Sequence, residues 1–370
     1  MNTDEKILVT RSFLPPRKEY DKYLDLIWEN HWLTNQGELH NELQEKLQNY
    51  LGVKNVTLFT NGHLALDVAI KALGVKGEVI TTPFTFASTT HAIIMNGATP
   101  VFADIKPSDC TIDEERVEAL ITDKTSAIVA VHVYGYPCNT SALFDIATRH
   151  GLKLIYDAAH VFGVKIDGKP IGTFGDVSMM SFHATKVFHT IEGGALLYAD
   201  SSLRRSFDLY KNFGITGPET VEAVGLNAKM NEFAAAMGLC NLRYVDGEIE
   251  KRHKITDIYR EILRDVSGIK IFEDIPGVAH NYAYMPIIID EKKYGHSRDE
   301  LFDRLAAKNI FTRKYFYPLT TDYQCFGTEF ADAKVDNARY AANHVLTLPL
   351  YGELPPEMAE NIAKFIRSLC

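Results

Sequence analysis

The sequence predicts an α/β protein, with a mostly parallel, helix-covered sheet in a large first unit and a smaller α+β unit after it. Two observations carry that prediction. Short β-branched and apolar runs alternate with helical patterns from about residue 40 to 245, as strands joined by helical crossovers do. Beyond that point the alternation stops and isolated strands and helices follow. Length agrees, because 370 residues exceed one typical domain and suit a large plus a smaller one, here 1–245 and 246–370.

Taken in order, the predicted strands are Val56–Phe59, Glu78–Thr82, Pro100–Asp104, Ala127–Val133, Lys153–Tyr156, Asp176–Phe182 and Gly194–Tyr198. Each is short, apolar and bounded by turn residues, which suits strands buried on both faces. Helical spacing fills most of the gaps, at Leu64–Leu73, Asp113–Ile121 and Ser141–His150 among others. One long helical stretch is predicted from about Asn231 through Asp246–Lys254 to Arg264. Tyr282–Ile289 then reads as a strand, Arg298–Ala307 as a helix, Ile310–Arg313 as a strand and Pro355–Ser368 as a closing helix.

Composition removes several functional classes. A net charge of −9 argues against a nucleic-acid or anionic-membrane partner, since either requires a basic face. The five cysteines are scattered and contain no C-x-x-C, so neither a disulfide framework nor a zinc site is expected. The N-terminus lacks a basic segment followed by an apolar one, and no apolar run approaches the ~18 residues that span a bilayer. The expected location is cytoplasmic.

Ligands of parallel α/β sheets bind beyond the carboxyl ends of the strands, and four places there carry chemistry. Thr60-Asn61-Gly62-His63 joins a strand to a helix, where free amides and the helix dipole favour a phosphate. Tyr156-Asp157-Ala158-Ala159-His160 puts an acid at a strand end. Thr82-Pro83-Phe84-Thr85-Phe86 offers flat rings, and Ser181 and Lys186 follow the strand Asp176–Phe182. Singly, each has an ordinary structural reading: a capped turn, a turn-forming aspartate, core phenylalanines and a solvated lysine. Together, a phosphate cradle, an acid, a flat ring and a lysine are what pyridoxal 5'-phosphate requires of a protein. No G-x-G-x-x-G or G-x-x-x-x-G-K-[ST] supplies a rival nucleotide site. His132, His183 and His189 form no ligand spacing and read as structural, so no metal is expected.

The motifs FLPP, WLTNQG at 32–37, NGHLAL, TPFTFAST, VHVYGYPC, YDAAH, SFHATKVFHTIEGG, GLNAKMNEFAAA and TRKYFYPL, spread nearly end to end, resemble the DegT/DnrJ/StrS sugar aminotransferases. That resemblance implies the type I fold of aspartate aminotransferase, pyridoxal 5'-phosphate as cofactor and nucleotide-linked keto-sugars as substrates. Position by position it makes Lys186 the lysine that forms an imine with the cofactor, Asp157 the partner of the pyridinium nitrogen and Phe86 the stacking ring. His160 falls next to the phenolic oxygen, and Ala159 against the opposite ring face. Gly62, His63 and Ser181 fall at the phosphate. Relatives commonly carry Ser or Thr where this chain has His63, so one phosphate-capping hydroxyl is missing. Asn227 matches an asparagine that reaches the phosphate from a neighbouring subunit, which implies a homodimer with shared active sites.

Arg313, Lys314, Tyr315 and Tyr317 lie in a segment that borders the nucleotide-sugar in relatives, and an amphipathic edge strand is the alternative reading of the tyrosines. FLPP, NGHLAL, SFHATKVF and RKYFYPL resemble members that take an amino group from L-glutamate to C4 of dTDP-4-dehydro-6-deoxy-D-glucose. The product would be dTDP-4-amino-4,6-dideoxy-D-glucose, for surface-polysaccharide (O-antigen, lipopolysaccharide) synthesis. Amination at C3 of a 3-keto nucleotide sugar and a non-catalytic regulatory role on the same scaffold remain open alternatives. Lys186 argues against the family's dehydratases, which carry a histidine at that position.

Overall fold

The computed structural model describes residues 5–370. A seven-stranded sheet forms the centre of the first unit, in the spatial order Asn55–Phe59, Gly194–Tyr198, Val177–Ser181, Lys153–Asp157, Thr125–Val131, Glu78–Thr81 and Thr99–Phe102. All pairings are parallel except the two made by Gly194–Tyr198, which runs antiparallel to both neighbours. The expected mostly parallel sheet is therefore present, with strand ends within two residues of those read from the sequence. The reversed strand has a simple cause. A parallel connection needs a crossover of a dozen or more residues, usually helical, whereas the segment between Ser181 and Gly194 contains no helix.

Side chains on both faces of the sheet are buried, which explains the unbroken apolar runs. One face packs Leu58, Met180, Ala195 and Leu197 against Leu39, Leu43 and Leu47 of helix Glu38–Leu51 and Ala235 and Leu239 of helix Glu232–Asn241. The other packs Val79, Val129, Ile155 and Leu196 against Leu66 and Ile70 of helix Gly62–Ala72. Helix ends follow local rules: Asn139 Oδ1 accepts from the Ala142 amide to start Thr140–His150, and Gly151, at φ 64°, ends it in the left-handed conformation.

The single long helix expected from Asn231 to Arg264 is instead two, Glu232–Asn241 and Val245–Leu263, separated by a turn at Leu242–Tyr244. No Gly or Pro marks that break. The second helix leads to a three-stranded antiparallel sheet, Ile269–Ile271, Met285–Ile289 and Val345–Leu348, backed by helix Pro356–Arg367. Tyr259, Leu263, Ile287, Ile289, Leu346, Leu348, Ile362 and Ile366 form a separate buried cluster there. The start of the chain joins this second cluster, since Ile7–Leu8 pairs in parallel with Ile310–Phe311.

Among the contacts that hold the residues after 245 over the carboxyl ends of the sheet strands are three hydrogen bonds. Asn281 Nδ2 donates to His160 O at 2.9 Å, the Tyr134 hydroxyl donates to Tyr315 O, and Thr90 Oγ1 donates to Thr320 Oγ1 at 3.0 Å. No described helix is long and apolar enough to cross a membrane.

Candidate active site

The carboxyl ends of the strands and the overhanging second unit enclose a cavity of about 330 Å³. It gathers side chains from every one of the four places singled out in the sequence, together with others from the loop Phe182–Gly193 and from the second unit.

Lys186 sits on that loop, and its neighbours explain why the loop holds one shape. Phe182 N donates to Gly193 O at 2.8 Å and Thr190 N donates to Phe182 O at 2.9 Å, closing the loop at its base. Val187 and Phe188, which follow the lysine, are buried, and the Phe188 ring stacks on Phe162 at 4.4 Å. With the apolar residues seated, Lys186 is left at the cavity, its Nζ 3.4 Å from the Tyr284 hydroxyl.

Asp157 ends strand Lys153–Asp157 and is 4% exposed. Thr89 Oγ1 donates to Oδ2 at 2.7 Å, and the Ala159 amide donates to Oδ1 at 3.1 Å. Thr85 Oγ1, at 2.9 Å, fixes Thr89 in turn. Burial nevertheless wins over these bonds and over the attraction of Lys186, and the carboxyl is pushed above the ordinary carboxylate range. Such a group accepts a cationic N–H readily, because pairing removes the cost of its isolation.

His160 is buried, and burial first, then the positive charge of Lys186, holds its ring well below the usual imidazole pKa. It is therefore neutral at pH 7. The Tyr134 amide donates to Nδ1 at 3.1 Å, so the single ring proton is on Nε2. His160 thus presents a donor rather than a charge.

The turn expected to take a phosphate is built by close approach. Asn61 Oδ1 accepts from the Leu64 amide at 2.8 Å and starts the helix Gly62–Ala72. A Cβ on Gly62 would lie 2.9 Å from Ser181 Cβ and 3.1 Å from Met179 Sδ, so only glycine brings this helix start against the strand end. Gly62→Ala is expected to cost about 1–3 kcal/mol through that overlap. Thermal melting of the cofactor-free protein checks it, and an unchanged midpoint would show the contact to be looser than drawn.

Among the other expected site residues, Phe86, His63, Ser181, Ala159, Arg313 and Tyr315 also line the cavity. Lys314 and Tyr317 do not. Lys314 Nζ is 2.6 Å from Asp299 Oδ1, and Tyr317 is half-exposed with the Arg298 guanidinium 4.8 Å from its ring. Asn227 is exposed and accepts from Lys229 Nζ at 2.9 Å, outside this cavity. His132 and His189 are buried and hydrogen-bonded to backbone, His132 through the Cys138 amide and His189 through Phe13 O. His183 Nδ1 is held by Thr185, through its hydroxyl at 2.8 Å and its amide at 3.2 Å, and the ring also lines the cavity, 3.6 Å from Glu192. Tyr284 and Ser88 were missed. Tyr284 meets Lys186 across 98 residues of sequence, a proximity that no local pattern records.

A cavity with one lysine, a buried carboxylate, a neutral histidine donor, an open aromatic face and a helix start is built for amine chemistry on an anionic ring cofactor. The chain belongs to the DegT/DnrJ/EryC1/StrS aminotransferase family, which it matches over residues 16–367. It is 44% identical over 366 residues to a dTDP-4-amino-4,6-dideoxy-D-glucose transaminase of Shigella dysenteriae, covering 99% of this chain and 100% of that one. A GDP-perosamine synthase of Vibrio cholerae is more distant, at 34% over 304 residues, 81% of this chain and 82% of the other. The crystal structure of DesI, determined in the presence of its TDP-sugar product, superimposes with a TM-score of 0.93 at 35% identity, over 99% of this chain and 93% of DesI.

Proposed function

We propose that this chain uses pyridoxal 5'-phosphate to move an amino group from L-glutamate to C4 of dTDP-4-dehydro-6-deoxy-D-glucose, giving 2-oxoglutarate and dTDP-4-amino-4,6-dideoxy-D-glucose. The observation that carries the reading is the full-length identity of 44% to the Shigella transaminase, in a chain where one cavity holds Lys186, Asp157 and His160 together. The residues fit the cofactor: the glycine-only approach of Gly62 to Ser181 leaves a cradle at a helix start, and Asp157 lacks a cationic partner on its strand end.

When bound, the cofactor supplies a carbonyl for an incoming amine and a ring that withdraws electrons from the adjacent carbon. The chain's own side chains do the rest. Asp157 holds a proton on the ring nitrogen, Phe86 covers one ring face with Ala159 opposite, and His160 donates Nε2–H to the phenolic oxygen. Gly62 and Ser181 bind the phosphate, with His63 beside it in the same helix turn. Lys186 would anchor the cofactor, and its amine, when not so engaged, would carry the proton to and from the substrate carbon. Tyr284, by its contact with the lysine, keeps that amine over the site. Arg313 and Tyr315 take the diphosphate and the sugar. Lys314 and Tyr317 are left out of that contact, their charge and ring being engaged by Asp299 and Arg298.

The test of the reaction is a panel of dTDP-, UDP- and GDP-linked keto-sugars incubated with glutamate, with the aminated carbon assigned by NMR. A C4-amino dTDP-sugar is expected. A product aminated at C3 overturns the substrate assignment while leaving the family intact.

The proposal extends to organisation: a cofactor-binding unit, 1–245, and a smaller unit, 246–370, in a cytoplasmic homodimer whose Asn227 reaches the phosphate of the partner's site. Asn227 lies exposed and outside its own chain's cavity, and with its Oδ1 accepting from Lys229 it has its Nδ2 to offer to such a role. Mixing inactive Lys186→Ala subunits with inactive Asn227→Ala subunits is then expected to restore activity, since a hybrid dimer contains one site free of both changes. No recovery after demonstrated subunit exchange would place each site within one chain.

A further inference from the structure

Two helices begin beside the cavity, and their first turns touch. His63 belongs to the first turn of Gly62–Ala72, and Ser88 to the first turn of Ala87–Met95. His63 Nδ1 lies 3.0 Å from Ser88 Oγ, and both side chains line the cavity with Gly62 and Ser181. First-turn amides have no acceptor inside their own helix and carry the positive end of its dipole, so an anion here meets two such ends at once.

The second helix start is also fixed from below. Phe86 immediately precedes it, and Thr89, the residue after Ser88, donates to Asp157 at 2.7 Å. The same turn that places the ring face and steadies the buried acid therefore places Ser88.

The hydroxyl has one proton, and its bond with His63 can be made in two ways. If Nδ1 accepts that proton, Ser88 has only lone pairs to show an anion. If Nδ1–H donates to Oγ, the hydroxyl proton is free to point into the cavity. A phosphate selects the second arrangement. We infer that Ser88 supplies the phosphate-binding hydroxyl that position 63 lacks, and that His63, protonated on Nδ1, is the positioning residue that frees it. The inference rests on the cofactor reading above and deepens it.

Equilibrium binding to the cofactor-free protein tests it, with pyridoxal 5'-phosphate and pyridoxal compared by cofactor absorbance and fluorescence. Ser88→Ala is expected to weaken the phosphorylated ligand about tenfold, the scale of one hydrogen bond to a charged group, and to leave pyridoxal unchanged. His63→Ala should do the same, with the double variant no weaker than either single one. His63→Asn, whose amide N–H takes the place of Nδ1–H, should bind like the wild type. Binding within twofold of wild type in Ser88→Ala, or equal weakening of both ligands, overturns the role of Ser88. Additive losses in the double variant, or an Asn variant as weak as His63→Ala, overturn the positioning by His63. If the wild type itself fails to bind either ligand, the cofactor reading falls, and this inference with it.

Discussion

Lys186→Ala is expected to lose turnover by about 10⁴-fold or more, because one amine both anchors the cofactor and moves the proton, and effects of that kind reach this scale when a single group is removed. The fold should survive. The loop is held by Phe182, Val187, Phe188 and Thr190, and among the described residues the lysine head has one hydrogen bond, the long one to Tyr284. Lys186→Arg should do no better, since a guanidinium stays protonated and does not form an imine. The direct measurement is borohydride reduction of the wild-type holoenzyme followed by peptide mapping. The pyridoxyl mass is expected on the peptide that contains Lys186. Its appearance on Lys211 or Lys229 would refute the assignment, and Lys211 is the sharper control because it is fully buried against Asp208 and Phe59.

Much of this arrangement was legible because the relevant signals are local. Strands buried on both faces are unbroken apolar runs, and the polar residues that end them stand out: Asn61, Asp157 and Ser181 each fall at or just past a strand terminus. What the sequence left out depends on contacts between distant segments. A run such as Gly194–Tyr198 carries no direction, and its reversal follows from the helix-free loop before it. The break at Leu242–Tyr244 has no Gly or Pro to announce it. In TRKYFYPL strict alternation would put 313, 315 and 317 together, yet the cavity takes Arg313, Tyr315 and Phe316 while Tyr317 turns out towards Arg298. His63 and Ser88, 25 residues apart, meet only because helix Gly62–Ala72 leaves the edge strand Asn55–Phe59, starts against Ser181 and packs on helix Ala87–Met95.

Asp157→Asn is expected to separate stability from function. In the cofactor-free protein burial raises the Asp157 pKa, so the charged form is disfavoured by folding. A group whose folded pKa is raised contributes stability that is fully present below its unfolded pKa and is lost as pH rises through the folded value. At neutral pH, well above the unfolded pKa, folding must disfavour the ionisation that the unfolded chain allows, a cost which the neutral amide does not carry. The cofactor-free variant should therefore melt higher than the wild type at pH 7, with the gap closing as the solution is made acid. Catalysis should move the other way. The amide cannot hold a proton on the ring nitrogen by charge, and a misplaced or missing electrostatic partner in a desolvated site costs ~3 kcal/mol or more, about two to three orders of magnitude in turnover. The two measurements together are decisive: near-normal turnover removes Asp157 from the mechanism, whereas a higher melting midpoint combined with a large loss of rate identifies a charge that the fold tolerates for the sake of the cofactor.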